Sequence, residues 1–219
     1  TVAGLVPVEH HEADIAASCQ KECIGIAIDG VGYGTDGTIW GGEIFQGSAP
    51  HYSRVGHLMP VLMPGGDLAT IWPERMLYGI LPDEQTHQLL LSRGWKEQDL
   101  SILEKQVSKR FNTAVTSSTG RILDAAAALL GICRKKTYDG EPAMKLESAA
   151  YGASPETWEI PLTRIGTAEV LDTPSLLKQA RDRFMSDPKD SQNIQQIAAS
   201  IQYNLARGIG VIACNAAAS

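Results

Sequence analysis

The sequence predicts an α/β fold, and three observations carry that reading. A short uncharged run, Ile24-Gly25-Ile26-Ala27-Ile28, reads as a buried strand ending on Asp29-Gly30, and strand ends are where open α/β sheets place their ligands. The glycine-rich stretch from Gly30 to Phe45 contains Asp36-Gly37, which marks a tight hairpin between strands ending near Tyr33 and starting near Ile39. From Asp83 to about Phe111 the pattern is helical, with Leu100, Leu103 and Val107 on one side.

The remaining elements follow in chain order. Leu5-Val6-Pro7-Val8 is a strand candidate feeding an Ala-rich helix over His11 to Glu22. Met63-Pro64-Gly65-Gly66-Asp67 forms a glycine turn into a helix from Leu68 to Ile80, which Pro73 breaks or kinks and Pro82 stops. Thr116 to Arg121 opens an apolar helix, Ile122 to Leu130, ended by Gly131. Trp158-Glu159-Ile160 is a short strand candidate, and helices follow over Ser175 to Met185 and Ser191 to Ala206, with Gly208 closing the second. Gly210 to Cys214 reads as the start of one more strand. The chain divides into a sheet-and-hairpin part (1–82), a largely helical part (83–190) and a C-terminal helix with a truncated strand (191–219).

Composition excludes several classes of function. The 219 residues are 43% hydrophobic and 20% charged, so the chain is globular and neither disordered nor coiled coil. The 19 Lys and Arg against 25 Asp and Glu give a formal charge of −6, the wrong sign for gripping nucleic acid through its phosphates. No apolar run approaches the ~18 residues of a membrane helix. A soluble, cytoplasmic protein with neither nucleic-acid nor membrane partners is expected. The four cysteines lack Cys-x-x-Cys spacing; Cys19 and Cys23, four apart on one helix face, read as two small buried thiols.

Three groups of residues suggest chemistry. In His10-His11-Glu12-Ala13-Asp14, the i, i+4 spacing lets His10 and Asp14 offer an imidazole nitrogen and a carboxylate oxygen to one ion, although a solvated helix start has the same appearance. Asp29 is a third ligand, a partner for a nucleotide-bound cation, or simply a turn residue. Gly65, Gly66 and Asp67 aim backbone N–H groups at an anion or form a plain N-cap. Ser118, Thr119, Gly120 and Arg121 combine hydroxyls, a helix N-terminus and a guanidinium, which suits phosphate as well as an ordinary cap. Two geometric expectations follow. His10, Asp14 and Asp29 should converge, and the Gly65-Gly66 and Thr119-Gly120 turns should face one cleft, with Arg121 beside it.

The stretches DGVGYGTDGTIWGGEIF (29–45), HLMPVLMPGGD (57–67), TSSTGRILDAAAALLG (116–131) and YDGEPAMKLE (138–147) resemble, in order, motifs of the HypF carbamoyltransferases. The resemblance covers roughly residues 8–150, and VEHHEADIAA is similar to that family's His-x-x-x-His metal motif, with Asp14 where the family has its second histidine. Trp72-Pro73-Glu74-Arg75 reorders the family's Glu-Pro-Trp-Arg. The resemblance implies a partial actin-like (ASKHA) mixed-sheet fold with a helical insertion, related to TsaD. It also implies transfer of a carbamoyl group from carbamoyl-adenylate, made from carbamoyl phosphate and ATP, to the C-terminal cysteine of a HypE-like acceptor in hydrogenase maturation. ATP or carbamoyl-adenylate and a divalent metal (Mg, Zn or Fe) are the implied cofactors, and a carboxylate at position 14 hardens the metal site. Strands that related proteins place before and after this region are missing, so an inactive fragment or docking unit of the same family is the alternative expectation.

Overall fold

The computed structural model describes residues 9–19 and 21–218. The strand candidate at Leu5 to Val8 lies outside them. A short helix α1 (His10–Ser18) leads into β1 (Cys23–Tyr33), β2 (Ile39–Ser48), β3 (His51–Leu58) and β4 (Val61–Pro64). Helices α2 (Asp67–Ile71), α3 (Pro73–Ile80), α4 (Glu84–Ser92) and α5 (Glu97–Lys109) follow, then β5 (Thr113–Thr116), α6 (Thr119–Leu129) and α7 (Glu141–Ala150). The chain continues through β6 (Leu162–Ile165), β7 (Ala168–Leu171), α8 (Thr173–Ser186) and α9 (Ser191–Ala217). No helix among the described residues is long and apolar enough to cross a membrane.

The strands form one mixed sheet in the order β4-β5-β2-β3-β7-β6, with β1 attached to β2. β2 is its hub: antiparallel to β1 and β3, and parallel to β5 where Ile39 meets Thr116. β5, β6 and β7 all come from the stretch read as largely helical, and β7 joins the sheet by pairing parallel with β3. The mixed α/β class follows from these pairings.

Most of the core lies where α3, α6, α8 and α9 cover the sheet, around Ile44, Leu58, Met76, Leu77, Ile122, Leu171 and Ile201. Close approach needs small residues. Ala125 to Ala128 on α6 are fully buried, and a Cβ on Gly79 of α3 would fall 2.2 Å from the Leu62 carbonyl oxygen. Arg93, just past α4, closes the end of α6 by donating to the Ala128 and Leu129 carbonyls. The fully buried Arg181 of α8 donates to Asp83, the N-cap of α4, and to Thr86.

Pro73 divides the helix expected over 68–80 into α2 and α3, and Gly94, with φ 93°, divides the one expected over 83–111 into α4 and α5. Four expectations need correction. The run Ile24 to Ile28 is not buried on both faces: β1 pairs only with β2, and Ile26 and Ile28 are exposed. The first helix ends at Ser18, short of Glu22. Trp158 to Ile160 form no strand, because the Asn204 side chain bonds the backbone there, accepting from Trp158 N–H and donating to the Glu156 carbonyl. Gly208 does not end its helix, and the strand expected at Gly210 to Cys214 is helix. α9 runs on to Ala217 because Leu205, Ile209, Ile212 and Ala216 keep helical spacing into the core. Gly208 is there for contact, since a Cβ would meet Leu171 at 2.6 Å.

Candidate functional site

The glycine-rich hairpin is held by one buried carboxylate. Glu43, fully buried in β2, accepts hydrogen bonds from the backbone N–H groups of Gly41 and Gly42, from Arg54 at 2.9 Å and from the Ser117 hydroxyl. Arg54 also stacks over the Trp40 ring at 4.1 Å and reaches Asp36 at 3.5 Å. Desolvation works against the Asp36 carboxylate, but donation from Thr38 and Trp40 together with the Arg54 charge holds its pKa below the usual range. The Asp36-Gly37 turn is thus bonded to the strands it joins. Sequence reasoning missed Glu43 and Arg54. The available signal was a carboxylate inside the apolar run Trp40-Gly-Gly-Glu-Ile-Phe45, which a buried strand tolerates only when the charge is paired.

Opposite β2, the ladder of β1 slips between Ile28 and Gly32, so Asp29, Gly30 and Val31 bulge out of register. The bulge is fastened to α6. Ser118, its N-cap, donates to the carbonyls of both Asp29 (2.9 Å) and Gly30 (2.8 Å) and accepts from Arg121 N–H. Gly120 packs against Gly30, where a Cβ would come within 2.9 Å of the Gly30 Cα. The Arg121 guanidinium is 7% exposed; its Nη2 lies 3.0 Å from Asp124, while Nε and Nη1 have no hydrogen-bond partner, nor does the buried Thr119 hydroxyl. Unfilled buried donors at the start of an eleven-residue helix are suited to an anion.

Asp124 supplies a measurable consequence. Burial pushes its carboxyl up to about 6, with Arg121 and Lys136 pulling the other way. The folded state therefore holds this proton more tightly than the unfolded chain. The stability it contributes is complete below the ordinary value of 3.8 and is lost as pH rises to about 6. Urea unfolding of wild type and Asp124→Asn across that window should show the wild type losing stability relative to the variant, by on the order of 2 kcal/mol. A difference that stays flat with pH would contradict the assignment.

The metal expectation is corrected in one particular. His10 and Asp14 do pair, at 3.5 Å, but on the exposed face of α1. The imidazole that meets Asp29 is that of His11, buried, with Nε2 3.6 Å from Asp29 and Nδ1 3.1 Å from Glu9. α1 turns His11 inward because Gly32 and Gly25 leave room beneath it: a Cβ on Gly32 would fall 1.9 Å from the His11 ring, and one on Gly25 2.5 Å from Ile15. Among the described residues no group of three or more His, Cys, Asp and Glu side chains could hold a metal ion. His10 and Asp14 alone do not make such a site.

The expected shared cleft is corrected as well. β4 and β5 are antiparallel, with Val61 opposite Thr116 and Pro64 opposite Thr113, so the Gly65 turn and the Ser118 turn lie at opposite ends of that ladder. Gly65 N–H is bonded to the Asn112 carbonyl and Gly66 N–H to that of Met63. Asp67 is exposed, begins a helix of five residues and caps nothing. The two turns do not present N–H groups to one phosphate. Of the predicted anion residues, the structure brings Ser118, Thr119, Gly120 and Arg121 together with the Asp29-Gly30 bulge.

Comparison with known proteins agrees with this geometry. The family model described as "Carbamoyltransferase, Kae1-like Domain, second subdomain" matches residues 25–219. The chain is 43% identical over 157 residues to the probable carbamoyltransferase HypF of Methanocaldococcus jannaschii, covering 68% of this chain and 20% of that protein. It is 38% identical over 149 residues to the carbamoyltransferase HypF of Rhizobium leguminosarum bv. viciae, covering 66% and 20%. Among solved structures, full-length HypF in its phosphate- and nucleotide-bound form superposes with a TM-score of 0.80 at 31% identity, over 92% of this chain and 28% of that one. T. kodakarensis HypF gives 0.81 at 34% identity, over 97% and 29%. The chain spans about a fifth of the length of the curated relatives it matches.

Proposed function

Because the chain belongs to the HypF carbamoyltransferase family, we propose that it forms one wall of a nucleotide site at which a carbamoyl group passes from carbamoyl-adenylate to the C-terminal cysteine of a HypE-like acceptor, in hydrogenase maturation. The observation that carries this reading is the N-terminus of α6, where Arg121 and Thr119 hold buried donors without partners beside the Ser118-fastened bulge. In the transfer, the acceptor thiolate attacks the carbamoyl carbon, a C–S bond forms, and the bond from that carbon to the phosphate oxygen breaks. AMP leaves with the electron pair and the thiol proton goes to solvent. Negative charge grows on the departing phosphate, which is what a helix N-terminus and a guanidinium stabilise. Ser118 and Glu43 position these groups and touch no substrate. No step is routed through a metal, since the described donors do not assemble a site for one.

Loss of a charge-assisted bond costs about 1.5–3 kcal/mol, roughly ten- to hundredfold in affinity. Arg121→Ala in the longer protein is expected to weaken ATP binding by that factor in calorimetric titration, with Arg121→Lys in between. Unchanged affinity would remove α6 from the nucleotide site. A second reading, a catalytically inactive docking unit, is favoured by Asp14 and by the missing three-donor cluster. The isolated chain is expected to give no measurable transfer to the acceptor cysteine and to bind ATP weakly or not at all. Transfer by the isolated chain, abolished by Asp29→Ala, would refute both that expectation and the docking reading.

A further inference from the structure

We propose that Cys19 and Cys23 are an oxidisable dithiol, which a small disulfide oxidant converts to an intrachain bond fastening the end of α1 to the start of β1. Both thiols are free and half-buried, and both line the groove of about 510 Å³ between α1 and β1. They lie within hydrogen-bonding reach of each other. Cys19 is the C-cap of α1 and Cys23 the first residue of β1, so the chain reverses between them and returns the second thiol to the first. Tyr52 of β3 holds this corner from the neighbouring strand, donating from its hydroxyl to the Cys19 carbonyl at 2.7 Å. Neither sulfur belongs to the main core, and neither is used in the transfer proposed above. Paired, groove-facing thiols with this spacing are built for exchange, whereas the buried Cys133 is shielded.

Burial and the hydrogen bond with Cys19 push the Cys23 thiol up, which leaves the first attack to Cys19. The Cys19 thiolate attacks one sulfur of the oxidant, a mixed disulfide forms, and one small thiolate departs and takes up a proton. Cys23 then gives its proton to solvent, attacks the Cys19 sulfur and expels the second small thiol. Two electrons pass from the protein to the oxidant, and two protein S–H bonds become one S–S bond. The product pins α1, and with it His11 opposite Asp29.

The test uses the complete 219-residue chain with Cys214→Ser, which removes the exposed thiol of α9, and oxidised glutathione as the probe. The expected product has lost two hydrogens and two titratable thiols, with no glutathione attached. Because trypsin cuts after Lys21, the peptides carrying Cys19 and Cys23 should stay linked until reduction. Cys23→Ser should stop at one glutathionyl group on Cys19, and Cys19→Ser should leave Cys23 unmodified. Peptides that separate without reductant, or a protein that ends as a glutathione adduct or unchanged, would overturn the proposal. That readout is made on protein retaining both thiols, so it does not depend on how the single variants fold.

Discussion

Replacing Glu43 with alanine is expected to destabilise the protein by about 3–5 kcal/mol, the usual consequence of removing one partner from a buried ion pair. Four donors converge on this carboxylate: the Gly41 and Gly42 N–H groups, Arg54 and Ser117. Deleting it leaves the two N–H groups and the Ser117 hydroxyl without their acceptor and the Arg54 guanidinium without its main counter-charge. Glu43→Gln, which keeps an acceptor oxygen but adds two donors, should fall between alanine and wild type. Urea unfolding monitored by Trp40 fluorescence measures both. A loss below about 1 kcal/mol for alanine would mean that the four donors find other partners.

Leu77→Ala should come next, at about 2–5 kcal/mol, because it empties a fully enclosed position where α3 packs on α6 and β4. Leu68→Ala removes the same atoms from α2, where the side chain is 48% exposed, and should stay within about 0.5 kcal/mol. Equal losses at the two sites would show that the core is not where the packing places it.

The parts of the fold that were legible in the sequence are those fixed by local chemistry. Asp36-Gly37 announces a turn because few other pairs satisfy that backbone, Pro73 breaks a helix wherever it stands, and Ser118 caps through its own side chain. The parts that were not legible depend on residues far away in the chain. β5, β6 and β7 are four residues each, too short to show a period, and exist because β2 and β3 offer them an edge. Gly208 looked like a helix end, yet its missing side chain makes room for Leu171. The same reasoning separates His10 from His11. Spacing within one helix favoured His10 with Asp14, while the choice of which imidazole turns inward was made by Gly32, on the strand beneath.

The position of β2 as hub bears on the order in which the molecule assembles. β1, β2 and β3 are joined by turns of a few residues (34–38 and 49–50), so their ladders close on the microsecond scale of hairpins, ~1–10 μs. Ile39 finds Thr116, and Gly56 finds Glu169, only across long stretches of chain, and such closures come late and slowly. A three-strand meander is thus expected to act as the nucleus onto which the rest docks. Ile44→Val, in the meander, should mainly slow refolding, whereas Val170→Ala, in β7, should mainly speed unfolding, and stopped-flow chevron plots that reversed this pattern would place the nucleus elsewhere.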